Sequence, residues 1–344
     1  MCHMKARLDK ILETKLKRGR EILYLSRKDI EQLGVSITDV IEWIEELFRI
    51  KKECELPPKI GIHTRPDSFI HAMPAWVPPL KAAGLKWIAG YLNNRKRFGL
   101  PYLTGVLILN DPESGAPYAI MDCTWPTEMR TAAVSAISAK YLARKDSKVL
   151  GIIGLGVQAR RHAEAISKVL KIEKIKGYDI SKKAAEFFKS WVEKVTGTEV
   201  ELVDSPEKAV VDCDIVVTAI PITDKPQHVV KPEWIKAGMT LLPIDFDAAM
   251  GAEIAAKVDK FYTDDLEQYA YYWEHTPYFE GYPPPDKAVG EVAEVVRGEK
   301  PGRESNDEII MANNLGLAIE DMAVGIRLFY VAIEKGIGKK LPLL

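Results

Sequence analysis

The chain is poor in the residues that staple small domains or bind metals. Its four cysteines (Cys2, Cys54, Cys123, Cys213) are scattered, with no C-x-x-C pair. That fits reduced thiols in a cytoplasm rather than a disulfide framework or a zinc site. The six histidines show neither H-x-x-x-H nor H-x-H spacing, so no metal site is expected. No apolar run reaches the roughly 18 residues of a membrane span. The basic N-terminus has no apolar stretch behind it, unlike a secretory signal. The formal net charge of -1 leaves no electrostatic case for a nucleic-acid partner. Internal repeats and low-complexity linkers are also missing. What is present is ordinary for two globular domains: 344 residues, 47% apolar and 28% charged.

The most informative stretch is Lys148–Asp179. An apolar run to Ile153 is followed by Gly154-Leu-Gly156-Val157-Gln158-Ala159, a helical pattern to Leu170, and a second short run closing on Asp179. The order is strand, glycine turn, helix, strand, carboxylate, and each part suits a dinucleotide. Gly154 permits the sharp turn, Gly156 lets backbone N–H groups approach a pyrophosphate, and Ala159 lets the helix sit close to the sheet. The helix N-terminus offers free donors and a partial positive charge. Asp179 is placed to grip a ribose 2′-hydroxyl, which favours NAD(H) and leaves NADP(H) possible. Arg160 and Arg161 could meet a 2′-phosphate or form a solvated basic face.

Ahead of this stretch, residues 1–20 carry Leu8, Ile11, Leu12 and Leu16 at helical spacing, a peripheral leader helix. Ser26 with Asp29, then Ser36 or Thr38, open two further helices. Between Pro57 and Met121, short apolar runs alternate with turn signals. This predicts a mostly antiparallel sheet with Asp111–Gly115 as a hairpin loop. Trp125-Pro126-Thr127 starts a long helix. After Asp179, alternating helices and strands complete six strands, a Rossmann-type doubly wound parallel sheet. Tyr269–Tyr282 holds seven aromatics in 14 residues and is read as a loop, either an apolar cover or a pocket wall. Ile309–Glu334 is read as one long helical stretch.

Three residues stand out chemically. Arg130 lies in the first turns of the helix beginning near Thr127, where guanidinium and helix terminus could hold one anion; an ion pair would use the same group. Lys86 sits in a strand. Facing inward it would need a partner and its pKa would fall; the alternation equally allows it to face outward. Asp247 follows a strand, at the carboxyl end of the sheet where such folds bind ligands, and Asp245 is its rival.

These elements resemble the ornithine cyclodeaminase/mu-crystallin family, which includes archaeal alanine dehydrogenases and Δ1-pyrroline-2-carboxylate reductases. The resemblance runs from about Tyr24 to Lys339. It is carried by Met73-Pro74, Gly84-Leu-Lys86, Asn94, Gly99-Leu-Pro101, Asp111–Gly115, Thr127–Ala133, Tyr141–Asp146, Gly154–Ala159, Gly302–Ser305 and Gly316–Asp321. It implies that Lys86 and Arg130 hold a substrate carboxylate, with Lys59 and His71 beside them, and that Asp247 is the acid–base residue. It places Asn94, Thr127, Arg130, Thr218, Asp247 and Asn314 near the cofactor. It further implies a Rossmann domain (143–317) inserted into an α+β substrate and dimerisation domain (1–142 with 318–344). Four positions depart from the pattern. Lys59 stands where arginine is usual, Gly251 where a lysine is usual, and Asn314 where a serine is usual. His71 replaces the glutamate of ornithine-accepting members and the arginine of alanine dehydrogenases.

The expected function is therefore NAD(H)-dependent reduction of a small imino acid, Δ1-pyrroline-2-carboxylate to L-proline, in a cytoplasmic homodimer. The alternatives are ornithine cyclodeaminase, alanine dehydrogenase, and a mu-crystallin-like binder without turnover.

Overall fold

Two sheets organise the chain. The computed structural model describes residues 2–65, 68–223 and 225–344, with the backbone only for residues 2–6. In chain order the elements begin α1 (Cys2–Thr14), β1 (Glu21–Leu25), α2 (Arg27–Gln32), α3 (Ile37–Ile50), β2 (Ile60–Ile62), β3 (Ser68–Val77) and β4 (Ala82–Tyr91). Next come α4 (Asn94–Phe98), β5 (Leu103–Asn110), β6 (Pro117–Asp122), α5 (Thr124–Leu142), β7 (Val149–Ile153), α6 (Val157–Val169), β8 (Lys174–Tyr178) and α7 (Lys182–Thr196). Then β9 (Glu199–Leu202), α8 (Pro206–Val210), β10 (Ile215–Thr218), β11 (Thr240–Pro243), α9 (Ala252–Ala255), β12 (Lys260–Thr263) and α10 (Leu266–His275) follow. The chain ends with β13 (Gly290–Glu291), α11 (Val292–Val296), β14 (Ile310–Asn313), α12 (Ala318–Lys335) and β15 (Lys339–Pro342). Residues 1–130 with 317–344 form one compact unit, and 131–316 the other. The division falls inside α5, after Arg130, rather than at the helix end expected from the sequence.

The first unit is built on the sheet β15-β1-β6-β5-β4-β3-β2. Its long antiparallel ladder runs through β3, β4 and β5, and strand parity decides what each face does. Met73, Lys86, Leu107 and Met121 lie in one cross-strand row, on the face covered by α12. The fit there is tight: a Cβ on Gly325 would lie 2.5 Å from Leu107 Cδ2. On the opposite face Ile60, Ile62 and Trp87 are largely exposed. Strands β1 and β15, which the sequence reading lacked, pair with each other antiparallel, and β1 continues parallel onto β6. Both capping boxes form, at Ser26/Asp29 and Ser36/Asp39, so Ser36 rather than Thr38 opens α3.

The second unit is an eight-stranded sheet, order β13-β12-β14-β11-β10-β7-β8-β9, parallel throughout. It has the doubly wound form expected, with two strands beyond the six foreseen. One of them corrects the reading of Ile309–Glu334 as continuous helix. Ile310–Asn313 is a fully buried strand between β11 and β12, and the helix starts only at Ala318. A short apolar run has no period to separate buried strand from buried helix. The second correction concerns Tyr269–Tyr282. Its first half is the helix α10, capped by Asp265, and only the part after His275 is loop. Tyr269 and Tyr272, three residues apart, form the buried face of α10 while Trp273 is exposed, a helical spacing that the density of aromatics on all sides masks in the sequence.

Candidate active site

Sheet order locates the ligand edge of the second unit. β7-β8-β9 run one way from β7, and β10-β11-β14-β12-β13 the other. The switch point therefore lies at the carboxyl ends of β7 and β10, where doubly wound sheets take ligands. The glycine turn sits there. Gly154 has φ +85°, and a Cβ on it would lie 2.6 Å from Ala219 O, just past β10. Only glycine fits. Gly156 is the N-cap of α6, supplies no capping side chain, and has open space where a Cβ would be. The N-cap side chain therefore occupies none of the first N–H groups of α6, and the space beside Gly156 is open. Val157 is exposed at the turn, Ala159 is fully buried, and Gln158 Oε1 is buried without a partner. These features fit a dinucleotide pyrophosphate.

Asp179 plays a part the sequence did not show. Oδ2 accepts from Leu155 N at 2.7 Å and Oδ1 from Ser181 N at 2.7 Å, so the carboxylate pins the glycine turn to the end of β8. Arg161 pairs with Glu164, and Arg160 lies over the Phe187 ring. Both arginines are thus engaged along helix surfaces.

Geometry separates the two aspartates after β11. Asp245 accepts from Thr218 Oγ1 (2.8 Å) and Ile220 N (2.9 Å), tying β11 to the end of β10. Burial pushes its carboxyl up to about 7. Asp247 accepts one bond, from Phe279 N at 3.0 Å to Oδ2, while Oδ1 is buried without a partner. Burial raises its pKa and the Phe279 N–H opposes the rise. A carboxyl with one fixed oxygen and one uncommitted oxygen is suited to proton transfer. Asn314 Nδ2 donates to Ser138 Oγ (3.0 Å), leaving Oδ1 unpartnered, and Asn313 Nδ2 donates to Phe246 O (3.0 Å). Gly251 faces His228: a Cβ there would lie 3.0 Å from the imidazole Nδ1, so the ring takes the space next to it.

The first unit collects the cations. Lys86 faces inward with 1% exposure, its Nζ 2.6 Å from Asp321 Oδ2. Arg130 Nη1 lies 3.0 Å from Glu320 Oε2 and its Nε 3.5 Å from Asp321 Oδ1. Both acids sit in the first turn of α12, where the helix dipole favours them. Glu320 Oε2 also accepts from Leu317 N. Burial lowers the Lys86 pKa, Arg130 lowers it further, and Asp321 works against both. His71 is on the same face of β3 as Met73, across from Ile88 on β4. Burial, with Lys59, His63 and Lys86 nearby, pushes its pKa down to about 3, so the ring is neutral. Lys59 is buried. Asn94 Nδ2 donates to Pro101 O and Thr127 Oγ1 to Cys123 O, so each has a local structural bond.

Glu320 and Asp321 are the residues sequence reasoning missed. They were visible only as part of a recurrent run, although two acids opening an apolar helix call for buried cations. The described cysteines Cys54, Cys123 and Cys213 are free thiols; the side chain of Cys2 lies outside the described residues. Among the described residues no cluster of His, Cys, Asp or Glu could hold a metal, and no helix is long and apolar enough to cross a membrane.

Fold and site together define a class: a Rossmann-type unit with an open glycine turn, set within the sequence of an α+β unit that buries two cations against two carboxylates. More narrowly, the chain belongs to the ornithine cyclodeaminase/mu-crystallin family, whose profile matches residues 20–335. Nodulation efficiency protein NfeD of Rhizobium meliloti is 35% identical over 322 residues, covering 92% of this chain and 97% of that protein. Among solved structures, the Δ1-pyrroline-2-carboxylate reductase of Thermococcus litoralis, in complex with NADH and L-proline, is 35% identical with a TM-score of 0.83. The match covers 92% of this chain and 99% of that one. An archaeal alanine dehydrogenase dimer with bound NAD is also 35% identical, with a TM-score of 0.84 over 94% of this chain and 100% of that one.

Proposed function

We propose that the protein is an NAD(H)-dependent reductase of a small cyclic imino acid, Δ1-pyrroline-2-carboxylate, giving L-proline. The observation that carries this reading is Asp247: a buried carboxyl whose Oδ1 has no protein partner and whose surroundings favour the proton. Such a group can protonate an imine nitrogen and make the neighbouring carbon electrophilic. NADH, when bound, supplies the hydride. The α6 N-terminus and Gly156 would hold its pyrophosphate, and Asp179 would set the glycine turn and meet a ribose. Lys86 and Arg130 would orient the substrate carboxylate, with Glu320 and Asp321 holding both cations in place before it arrives.

The surroundings of His71 favour the reductase over the cyclodeaminase. A distal ammonium would meet a neutral imidazole flanked by Lys59 and Lys86, with no attraction to offset its lost hydration. The likeness to the Thermococcus reductase supports the same choice. The exposed face bearing Ile60, Ile62 and Trp87 is the surface we assign to a second copy, in keeping with the dimeric alanine dehydrogenase.

Purified protein with NADH and Δ1-pyrroline-2-carboxylate should consume NADH, followed by the loss of nicotinamide absorbance. Pyruvate with ammonia should react more slowly, and ornithine with catalytic NAD+ should release no ammonia. Turnover of pyruvate and ammonia alone would transfer the assignment to an alanine dehydrogenase, and ammonia release from ornithine to a cyclodeaminase.

A further inference from the structure

The aromatic segment after α10 is joined to Asp247 through its backbone. Phe279 N donates to Asp247 Oδ2. Phe279 has φ +64°, and Phe246, the residue before Asp247, has φ +58°. Neither is glycine, and a bulky side chain in the left-handed region is strained, held only where packing dictates it. Here the packing is a single ring cluster. Phe246 and Phe279 lie 5.5 Å apart, Phe246 meets Tyr272 and Tyr278, and Phe279 meets Tyr269 and Tyr282. One further hydrogen bond ties the segment to the Asp247 loop and two hold the segment itself together. Tyr282 Oη donates to Met250 O (2.6 Å), Tyr269 Oη to Pro283 O (2.7 Å), and Tyr282 N to Phe279 O (3.0 Å).

We propose that Phe279 is a positioning residue for Asp247, its buried ring forcing the strained backbone that aims the N–H at Oδ2 and leaves Oδ1 as the oxygen that exchanges the proton. The inference rests on the reading of Asp247 as the acid–base group. It also answers what the aromatic segment does. An N–H fixed on Oδ2 holds the carboxyl rotamer and stabilises the carboxylate, countering burial, so that the acid can give up its proton and recover it. The other titratable groups facing Asp247 are Asp245 on its own loop, His228 from the segment bonded to Ala248, and Tyr282. Burial holds the Tyr282 hydroxyl well above its ordinary range, so it does not titrate in the assay window.

The test is the pH profile of kcat in Phe279→Gly, which removes both ring and strain, with Phe279→Leu as the conservative variant. In the reductive direction the rate falls as the acid deprotonates. Phe279→Gly should therefore move that limb up by about one pH unit and lower kcat about tenfold or more, with the NADH Kd, read by fluorescence, within about twofold of wild type. Phe279→Leu should restore most of both. Should Phe279→Gly not fold, Tyr282→Phe releases the far end of the segment and should shift the limb the same way by less. A limb at the wild-type position in the folded variant overturns the proposal, as does NADH affinity lost in step with kcat. Asp245→Asn should retain a limb; its disappearance there would assign the titration to Asp245 and overturn the proposal. Asp247→Asn separates the two levels: inactive with an unmoved Phe279→Gly limb, only this inference falls; fully active, the acid–base reading falls with it.

Discussion

Replacing Asp321 by asparagine removes one charge from a pair that is 1% and 0% exposed at 2.6 Å, while nearly keeping its shape. The ammonium of Lys86 then remains buried beside Arg130 with no anion against it, although Arg130 retains Glu320. Breaking a buried pair in this way costs about 3–5 kcal/mol. Against an ordinary stability of about 5–15 kcal/mol that is a large fraction. Urea unfolding followed by tryptophan fluorescence reads it, since Trp43, Trp76, Trp87 and Trp125 all lie in the first unit. The pH dependence has a definite sign. The folded-state pKa of Lys86 is below its unfolded value, so the unfolded chain binds the proton more tightly and stability rises with pH through that window. Asp321 raises the Lys86 pKa, so losing it widens the window downward, and the deficit of the variant shrinks as pH rises toward the unfolded value. The double variant Lys86→Met, Asp321→Leu has no buried charge to strand and should recover much of the loss, a coupling of about 2 kcal/mol or more. A deficit below about 1 kcal/mol, one that grows as pH rises, or additive single effects would refute the pairing argument.

The glycine turn gives a paired prediction. Gly154→Ala places a Cβ against Ala219 O at positive φ and should cost about 1–3 kcal/mol of stability together with NADH binding. Gly156→Ala has open space and an ordinary φ, so stability should hold within about 0.5 kcal/mol while NADH affinity, by calorimetry, falls; equal behaviour of the two would contradict the assignment. Asp245 predicts a stability slope. Its carboxyl is raised from 3.8 to about 7, so its contribution is fully present only below pH 3.8 and is lost as pH rises from there through 7, up to about 4 kcal/mol. Melts of wild type should fall from pH 5 to pH 8, and Asp245→Asn should flatten that slope.

The local signals were complete in the sequence. Gly154, Gly156 and Ala159 announce the turn before any fold is known, because positive φ, close backbone approach and helix–sheet contact each demand a small residue. The capping boxes and the hairpin at Asp111–Gly115 are legible for the same reason: their partners lie within a few residues. Where partners are distant, the sequence was silent. β15 is a polar Lys339–Pro342 segment that becomes a strand only because β1 offers it an edge, and Ile310–Asn313 is a strand only because β11 and β12 flank it. Lys86 could have pointed either way until β3 and β5 fixed its parity and α12 brought Asp321 to it. Asp247 could not be told from Asp245 until Thr218 and Ile220 claimed one and the Phe279 N–H half of the other. Chemistry encoded by neighbours in the chain is written in the chain; chemistry that depends on which buried charge meets which, and which oxygen stays free, is decided by packing.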